Sequence, residues 1–313
     1  MRNILVTGGA GFIGSALTER LIQDENNFVV AVDDLSTGHR EKLPDIRNGN
    51  LKFINCDVNK YKDIAEVMFA FRFNYVFHFA AVVGVKRTLA NPIKVLKDID
   101  GIKNILDLAK NTGVKRIFFS SSSEVYGEPV ELPQNEETTP LNSRLPYAIV
   151  KNVGGAFLRA YKQEYGLDYT IFRFFNTYGP KQTRDFVMSR FLINALINRN
   201  ITIYGDGNQT RTFLYIDDNT EAVVSAFNNN MFINDVVNIG SNREISILEL
   251  AKTVIKLTGS KSKIVFVDPL SEGDMTRRMP DITKMKTLLK HDLIPLEEGI
   301  RRIMEEGLFE LKI

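Results

Sequence analysis

The feature that most constrains this chain is a glycine-rich stretch close to its N-terminus. It follows the apolar run 4–6 and leads into an apolar-periodic segment at residues 12–22. This order predicts a β-strand, a tight turn and an α-helix. Two overlapping glycine spacings, G-x-G-x-x-G and G-x-x-G-x-x-G, are formed by Gly8, Gly9, Gly11 and Gly14.

Glycines at this spacing have separate physical uses. One allows the tight turn, one lets the backbone approach a pyrophosphate, and the last lets the helix pack closely on the strand. The start of the helix presents the N–H groups of Phe12 and Ile13, and the positive end of the helix dipole, to phosphate groups. The stretch therefore predicts a dinucleotide site that uses Gly8, Gly11 and Gly14.

The ends of the following strands extend this site. Asp33 closes the apolar run 28–32 and follows Gly14 at nearly the separation expected of the acid that binds the adenosine ribose. A carboxylate there repels a 2′-phosphate, so the predicted cofactor is NAD rather than NADP. Further residues at strand ends, where cofactors lie in open α/β folds, are expected to contact it: Asp57, Val58, Phe79, Ala80 and Ala81.

Composition excludes several other classes of protein. The 313 residues carry a net charge of only +2, which argues against a nucleic-acid or membrane partner. A single cysteine, Cys56, excludes an intramolecular disulfide and fits a reducing compartment. The three histidines are scattered, and no Cys/His spacing suggests a metal. Because no signal peptide or membrane-spanning apolar run is visible, we expect a soluble cytoplasmic protein.

The order of predicted elements indicates the fold class. Six strands alternate with helices up to about residue 176, which predicts an α/β fold with a Rossmann-type, doubly wound parallel sheet. We expect residues 1–176 to bind NAD. Residues 177–313, with short strands at 201–204 and 236–239, are expected to form mainly a smaller substrate-binding lobe with an interleaved boundary. One long helix is predicted from Pro92 to Gly113, and residues 128–146 are predicted to be a long loop.

A tyrosine and a lysine lie four residues apart on another predicted helix. Tyr147 and Lys151 would share one helix face. A nearby ammonium lowers the pKa of a tyrosine, so its phenolate can take a proton from an alcohol while hydride leaves the same carbon for the nicotinamide. The preceding strand ends in serines at 120–123, whose hydroxyls can bind the reacting oxygen or cap local backbone, and Glu124 follows as a second candidate acid or base.

These motifs together resemble the extended short-chain dehydrogenase/reductases, the superfamily of nucleotide-sugar epimerases, dehydratases and decarboxylases. The resemblance implies that Ser122 orients the reacting oxygen, that Tyr147 is the base and that Lys151 activates it. It also implies that Tyr147 and Lys151 contact the cofactor. It implies that Asn176 contacts the sugar or the diphosphate, and that Arg211 and Arg278 hold the diphosphate or nucleoside. The stretches that carry it span nearly the whole chain: 7–15, 33, 57–58, 78–81, 120–127, 147–151, 173–180, 205–217 and 278–282.

The resemblance implies oxidation of a sugar at C4 by NAD and leaves the fate of the 4-keto product open. Glu124 after a serine is shared by UDP-glucuronate decarboxylases and GDP-mannose 4,6-dehydratases, whereas 4-epimerases usually lack the acid. The chain departs from the family at Asp98, where an asparagine is usual, which puts proton delivery in doubt. An enzyme that stops at the ketone, as those acting on GDP-manno-heptose in bacterial capsule synthesis do, is a further alternative.

Two expectations concern the whole protein. The helices at 92–112 and 147–165 have apolar residues on more than one face, and in the resembling family such a pair packs against its copy. A homodimer is therefore predicted, with a tetramer as the alternative. A non-catalytic NAD-binding scaffold is the alternative of a different class, and the presence of Ser122, Tyr147 and Lys151 together argues against it.

Overall fold

The computed structural model describes residues 1–45, 49–269 and 275–311, apart from the side chains of Val85 and Lys86. The chain divides into two compact units. The first consists of Met1–Val125, Ser143–Arg173 and Thr220–Val237, and the second consists of Tyr126–Asn142, Phe174–Asn219 and Asn238–Ile313.

The described part of the chain alternates strands and helices over most of its length. The strands are β1 (Arg2–Thr7), β2 (Asn27–Asp33), β3 (Leu51–Asn55), β4 (Tyr75–His78), β5 (Arg116–Ser122), β6 (Asp168–Phe174), β7 (Thr177–Tyr178), β8 (Ile201–Tyr204), β9 (Thr210–Thr212), β10 (Leu214–Tyr215), β11 (Asp235–Ile239), β12 (Glu244–Ser246) and β13 (Ile264–Val267). The α-helices are α1 (Phe12–Leu21), α2 (Tyr61–Phe71), α3 (Val85–Ala90), α4 (Pro92–Leu96), α5 (Asp98–Thr112), α6 (Pro146–Tyr165), α7 (Val187–Leu196), α8 (Ile216–Asn228), α9 (Ile247–Thr258), α10 (Thr283–Lys286) and α11 (Leu296–Glu306).

A seven-stranded sheet forms the centre of the first unit. Its strand order is β11-β6-β5-β4-β1-β2-β3, and the pairings among β3, β2, β1, β4 and β5 are all parallel. From β3 to β6 this is the doubly wound order. The chain adds β2 and β3 on one side of β1 and then adds β4, β5 and β6 on the other side. The predicted fold class is confirmed.

Consecutive phenylalanines in β5 show that helices cover both faces of this sheet. Phe118 points to one face, where its ring centroid lies 5.7 Å from that of Phe227 on α8. Phe119 points to the other face and lies directly against Gly154 on α6, where a Cβ atom would clash with its ring. Because successive residues of a strand face opposite sides, the two contacts place α8 and α6 on opposite faces.

Two sequence predictions need correction. The helix predicted from Pro92 to Gly113 is divided at Lys97, which ends α4 and precedes α5, and Asp100 N–H donates to Lys97 O at 2.9 Å in a tighter turn. The strand predicted at 236–239 belongs to the main sheet rather than to a separate lobe. It lies beside β6, and Asn234 N–H, just before it, donates to Tyr169 O at 2.7 Å. β6 and β11 are more than 60 residues apart in the chain, so their pairing cannot be predicted from the local sequence pattern.

The second unit contains three two-stranded pairings. β7 pairs with β10 and β8 pairs with β13 in parallel, while β9 pairs with β12 in antiparallel orientation. The helix α9 begins with a capping box, in which Ser246 accepts the Glu249 N–H at 3.1 Å and Glu249 accepts the Ser246 N–H. Among the described residues, no helix combines the length and the apolar character needed to cross a bilayer.

Candidate active site

The glycine-rich turn packs backbone closely against backbone. Gly8 has a φ of +68°, in the left-handed region that favours glycine, and a Cβ atom there would lie 2.8 Å from Ala80 N. A Cβ atom on Gly14 would clash with the Gly8 carbonyl oxygen, so α1 can start this close to β1 only with glycine. Side chains are therefore excluded at both positions, which a close approach of a pyrophosphate to the backbone requires.

The start of α1 supplies donors beside this turn. Gly11 is the N-cap residue and has no side chain with which to cap the first turn. The N–H groups of Phe12 and Ile13 are the ones that an anion at this helix start would meet. The turn is held by the Gly11 N–H, which donates to Gly8 O at 3.0 Å.

Asp33 is fixed at the end of β2. Its Oδ2 accepts the Ala10 N–H at 3.0 Å, and its Oδ1 accepts the Leu35 N–H at 2.9 Å. Burial raises the pKa of its carboxyl, and these two N–H groups oppose the shift. Each carboxylate oxygen has a second lone pair, so a carboxylate held in this way can also accept hydrogen bonds from the two hydroxyls of a ribose. These residues fit NAD.

The ends of β3 and β4 are ordered by hydrogen bonds. Asp57 is half-buried, and its Oδ1 accepts the Asn59 N–H at 3.0 Å. Thr7 Oγ1 accepts the N–H groups of Phe79 and Ala80, each at 3.1 Å. The remaining two residues predicted to contact the cofactor occupy the same strand ends: Val58 is buried and Ala81 is half-buried.

The end of β5 orients a hydroxyl. Ser122 Oγ accepts the Glu124 N–H at 3.2 Å, across the short 3₁₀ turn Ser123–Tyr126. Because this bond uses a lone pair of the oxygen, the Ser122 hydrogen can still be donated to another oxygen. Glu124, two residues farther along, is half-buried.

Tyr147 and Lys151 lie on one face of α6, as predicted. Lys151 is only 3% exposed, and its Nζ lies 5.6 Å from the centroid of the Tyr147 ring. The same Nζ donates to Ser120 Oγ at 3.3 Å. Burial lowers the pKa of Lys151 to about 8, and the negative field of Asp98 opposes that change. The Lys151 ammonium thus lies beside the Tyr147 ring, and a positive charge near a tyrosine favours its phenolate.

The three residues predicted to bind substrate lie in the second unit, around β9. Asn176 Nδ2 donates to Thr212 O at 3.2 Å. Arg211 is buried within β9, where its guanidinium donates to the carbonyl of the preceding residue at 2.7 Å. Arg278 is also buried, and its segment is joined to β9 by the Thr210 N–H, which donates to Thr276 O at 3.1 Å.

Sequence reasoning missed three residues that order this site. Ser120 is the hydrogen-bond partner of Lys151, although the serine run had marked its neighbourhood. Thr7 Oγ1 contacts His78 Nδ1 at 2.8 Å while it holds the end of β4. Burial and the charge of Lys151 lower the pKa of His78 to about 3, so the ring is neutral. No local pattern links these residues, because they meet only when β1, β4 and β5 pair.

Fold and site together define an NAD-binding α/β enzyme, and comparison with known proteins gives its family. The profile of the NAD dependent epimerase/dehydratase family matches residues 4–240. The chain belongs to this family, and the expected cofactor NAD is confirmed. It is an enzyme of the NAD-dependent nucleotide-sugar epimerase, decarboxylase and dehydratase group.

Individual relatives cover nearly the whole chain. It is 37% identical to UDP-glucuronic acid decarboxylase 1 of Danio rerio over 97% of this chain and 72% of the relative. It is also 37% identical to a putative UDP-glucose 4-epimerase of Methanocaldococcus jannaschii over 96% of this chain and 97% of that one. The crystal structure of UDP-glucose 4-epimerase from Thermotoga maritima with UDP-glucose superposes with a TM-score of 0.90, at 34% identity and 97% coverage of both chains.

Proposed function

We propose that the protein oxidises the C4 hydroxyl of a nucleotide-activated sugar to a ketone, in the synthesis of a bacterial surface polysaccharide. The observation that carries this proposal is the position of Lys151. Its buried ammonium lies beside the Tyr147 ring and bonds Ser120, close to the strand end that carries Ser122. An ammonium in that position lowers the pKa of the tyrosine, which is what a base for an alcohol requires.

The roles of the side chains follow from their hydrogen bonds. Ser122, held by the Glu124 N–H, donates its hydrogen to the C4 oxygen and orients it. Tyr147, as phenolate, takes the proton of that hydroxyl, and Lys151 stabilises the phenolate. NAD, when bound, supplies the acceptor for the hydride that leaves C4. Glu124 acts after this step, on the sugar next to the ketone.

Cofactor and substrate are assigned to separate groups of residues. Asp33 binds the adenosine ribose. The pyrophosphate and the rest of the cofactor contact Gly8, Gly11, Phe12, Ile13, Gly14, Asp57, Val58, Phe79, Ala80 and Ala81. Asn176, Arg211 and Arg278 bind the sugar diphosphate, since guanidinium groups match phosphate oxygens in shape and charge.

The candidate reactions differ in what happens to the 4-keto sugar after the oxidation. The names of the two relatives, a decarboxylase and a 4-epimerase, support a second step that consumes the ketone, by loss of CO₂ or by reduction from the other face. The Ser123-Glu124 pair favours decarboxylation or dehydration, because a ketone at C4 makes a neighbouring carboxylate or C–H bond labile. Release of the ketone itself, with GDP-manno-heptose as the sugar, has no support from these relatives.

Product analysis tests this proposal. The purified protein is incubated with UDP-, GDP- and dTDP-sugars and UDP-glucuronate, with and without NAD, and products are followed by mass spectrometry. Loss of two hydrogens indicates oxidation alone, loss of water a dehydratase and loss of CO₂ a decarboxylase. For a product of unchanged mass, NMR identifies an epimer. If none of the sugars is converted while NAD binds, the protein is a scaffold and the proposal is wrong.

A substitution at the base provides the mechanistic control. Tyr147→Phe should lower turnover by at least about 100-fold while NAD still binds, because only the phenolate oxygen is lost. Tyr161→Phe removes a hydroxyl from the same helix, where it donates to Asp107 at 2.6 Å, and should leave turnover intact. Equal turnover of the two variants would show that Tyr147 is not the base. A cytoplasmic location remains a prediction of the same proposal.

A further inference from the structure

Asp98 is a buried carboxylate that the proposed chemistry does not use directly. It is the first residue of α5 and is 8% exposed. Its Oδ2 accepts the Val82 N–H at 2.7 Å, and its Oδ1 accepts Asn59 Nδ2 at 3.3 Å. Both donors are neutral, so they fix the carboxylate in place without cancelling its charge.

The backbone of α5 is shaped to permit this arrangement. At Gly101, one turn past Asp98, a Cβ atom would lie 2.5 Å from Asn59 Oδ1 and 3.1 Å from Val58 Cγ2. Only glycine at that position lets α5 approach closely enough for the Asn59 amide to reach Asp98. The carboxylate is therefore held in a preformed niche.

Helix packing brings this niche level with Lys151. A Cβ atom on Gly154 of α6 would lie 3.2 Å from Ile102 Cδ1 of α5, so the two helices are in close contact there. Asp98 precedes Ile102 by about one turn, and Lys151 precedes Gly154 by about one turn. Both helices follow strands of a parallel sheet and run in the same direction, so the two residues lie at the same level.

The charges around Lys151 can be named element by element. Strand β4 presents His78, which is neutral, and β5 presents the Ser120 hydroxyl and the Phe119 ring, whose centroid is 5.0 Å from Nζ. Tyr147 faces it from α6 itself. From α5, Asp98 acts on Lys151 through space, since each lowers the electrostatic cost of the other's charge. Burial raises the pKa of the Asp98 carboxyl, Lys151 opposes that shift, and Asp34 adds to it with a smaller effect than Lys151 has.

We propose that Asp98 is a positioning residue, the negative charge that keeps the buried Lys151 ammonium protonated so that Tyr147 can serve as the base. A buried ammonium loses its hydration and tends to release its proton. A fixed carboxylate nearby stabilises the protonated ammonium through space. Because the two groups are not in contact, Nζ can still bind Ser120 and face the tyrosine. The inference rests on the proposed function for the role of Tyr147.

The test compares Asp98→Asn with Asp100→Asn. The asparagine oxygen can still accept the Val82 N–H, and its NH2 group can donate to Asn59 Oδ1 once the Asn59 amide turns over, so the charge is removed and both neighbours keep a partner. Asp100 is an exposed acid on the same turn. In Asp98→Asn, Lys151 should lose its proton at lower pH. The rising limb of the pH–rate profile should then move to higher pH, with roughly tenfold slower turnover at neutral pH, the effect of a shift of about one pKa unit in the base. Asp100→Asn should match the wild type.

A readout that needs no substrate separates this inference from the proposed function. The absorbance of the Tyr147 phenolate, obtained by difference from the corresponding Tyr147→Phe protein, should titrate at higher pH in Asp98→Asn than in the wild type. If this shift appears but no nucleotide sugar is oxidised, the proposed function is wrong and the inference stands. If sugars are oxidised and neither the titration nor the rate profile moves, the inference is overturned.

Two further variants strengthen the test. Arginine stays charged whatever its neighbours, so in a Lys151→Arg background the removal of the Asp98 charge should not move the Tyr147 titration to higher pH. A shift of the same size there would overturn the proposal. If Asp98→Asn does not fold, Asn59→Ala removes one donor to the carboxylate and should shift the titration in the same direction by a smaller amount. An unchanged titration in folded Asn59→Ala would then refute it.

Discussion

Thr7 Oγ1 lies 2.8 Å from His78 Nδ1, at the point where β1 and β4 end side by side. Because that oxygen already accepts the N–H groups of Phe79 and Ala80, its own hydrogen is donated to the ring nitrogen. The neutral His78 therefore carries its proton on Nε2. One buried hydroxyl thus joins the first strand, the end of β4 and His78 in a single hydrogen-bond network.

Removing this hydroxyl should destabilise the fold. In Thr7→Val the Ala80 N–H and His78 Nδ1 lose their partner inside the protein, which should cost about 2 to 3 kcal/mol in free energy of unfolding, measured by urea denaturation. Thr18→Val is the matched control, since none of the described residues bonds the buried Thr18 hydroxyl. It should be neutral or slightly stabilising. Equal losses in the two variants would contradict the network.

His78 should make stability depend on pH. Its ring has a pKa of about 3 in the folded protein against an ordinary value of 6.5, so below the latter the unfolded chain binds a proton that the folded chain does not. The contribution of His78 is complete above about pH 6.5. It should fall by about 1.4 kcal/mol per pH unit on acidification, until the folded ring also takes up a proton.

Denaturation curves at a series of pH values measure this effect. His78→Asn cannot take up the proton and should show a flatter acid dependence than the wild type, whatever its absolute stability. An unchanged slope in His78→Asn would show that the ring is protonated in the folded protein as well.

Asp33 should decide which dinucleotide binds. Asp33→Asn removes the charge that repels a 2′-phosphate and weakens the bonds to the ribose hydroxyls. The affinity for NAD should fall roughly 10- to 100-fold while the affinity for NADP rises, as measured by calorimetry on cofactor-free protein. Asp34→Asn makes the same charge change at an exposed neighbour and should leave NAD affinity within about twofold. A preference for NAD that survives in Asp33→Asn would refute this role.

The apolar surface of α4 and α6 should mediate a homodimer. Ile93 is 70% exposed, and Leu96 and Ile149 are exposed as well. Light scattering should therefore give the mass of two chains, or of four if dimers pair further. The double variant Ile93→Glu/Ile149→Glu should give one chain, because charges replace apolar contacts. Phe69→Glu, at an exposed position of α2, is the control and should keep the wild-type mass. A monomeric wild type would rule the dimer out.

Much of the fold could be predicted because its signals are local. The bounds of β8 agree with the predicted range, and α6 ends at the predicted residue and starts one residue early at Pro146. Periodicity, glycines and prolines act over a few residues and are visible in one sequence. The division at Lys97 was missed because it leaves the apolar pattern of the helix intact.

The site was predictable to the same extent. Tyr147 and Lys151 share a helix face because four residues make about one turn. The spacing of the glycines from Gly8 to Gly14 is enough to indicate the tight turn before a helix. In the sequence, Asp98 stood out only because the resembling family usually has an asparagine at this position. Its proximity to Lys151 depends on the glycines at 101 and 154, which set how closely α5 packs against its neighbours.

The sequence by itself thus determined the type and order of the elements, the dinucleotide turn and the tyrosine–lysine pair, since each depends on residues close together in the chain. Only the tertiary structure decided that β11 joins the main sheet, that Thr7 bonds His78 and that the charges of Asp98 and Lys151 act on each other. The partners in each pair are separated by more than 50 residues of chain, and their placement depends on strand order and helix packing. Strand order and helix packing are set by the free energy of the whole fold, so they cannot be predicted from any single segment of the sequence.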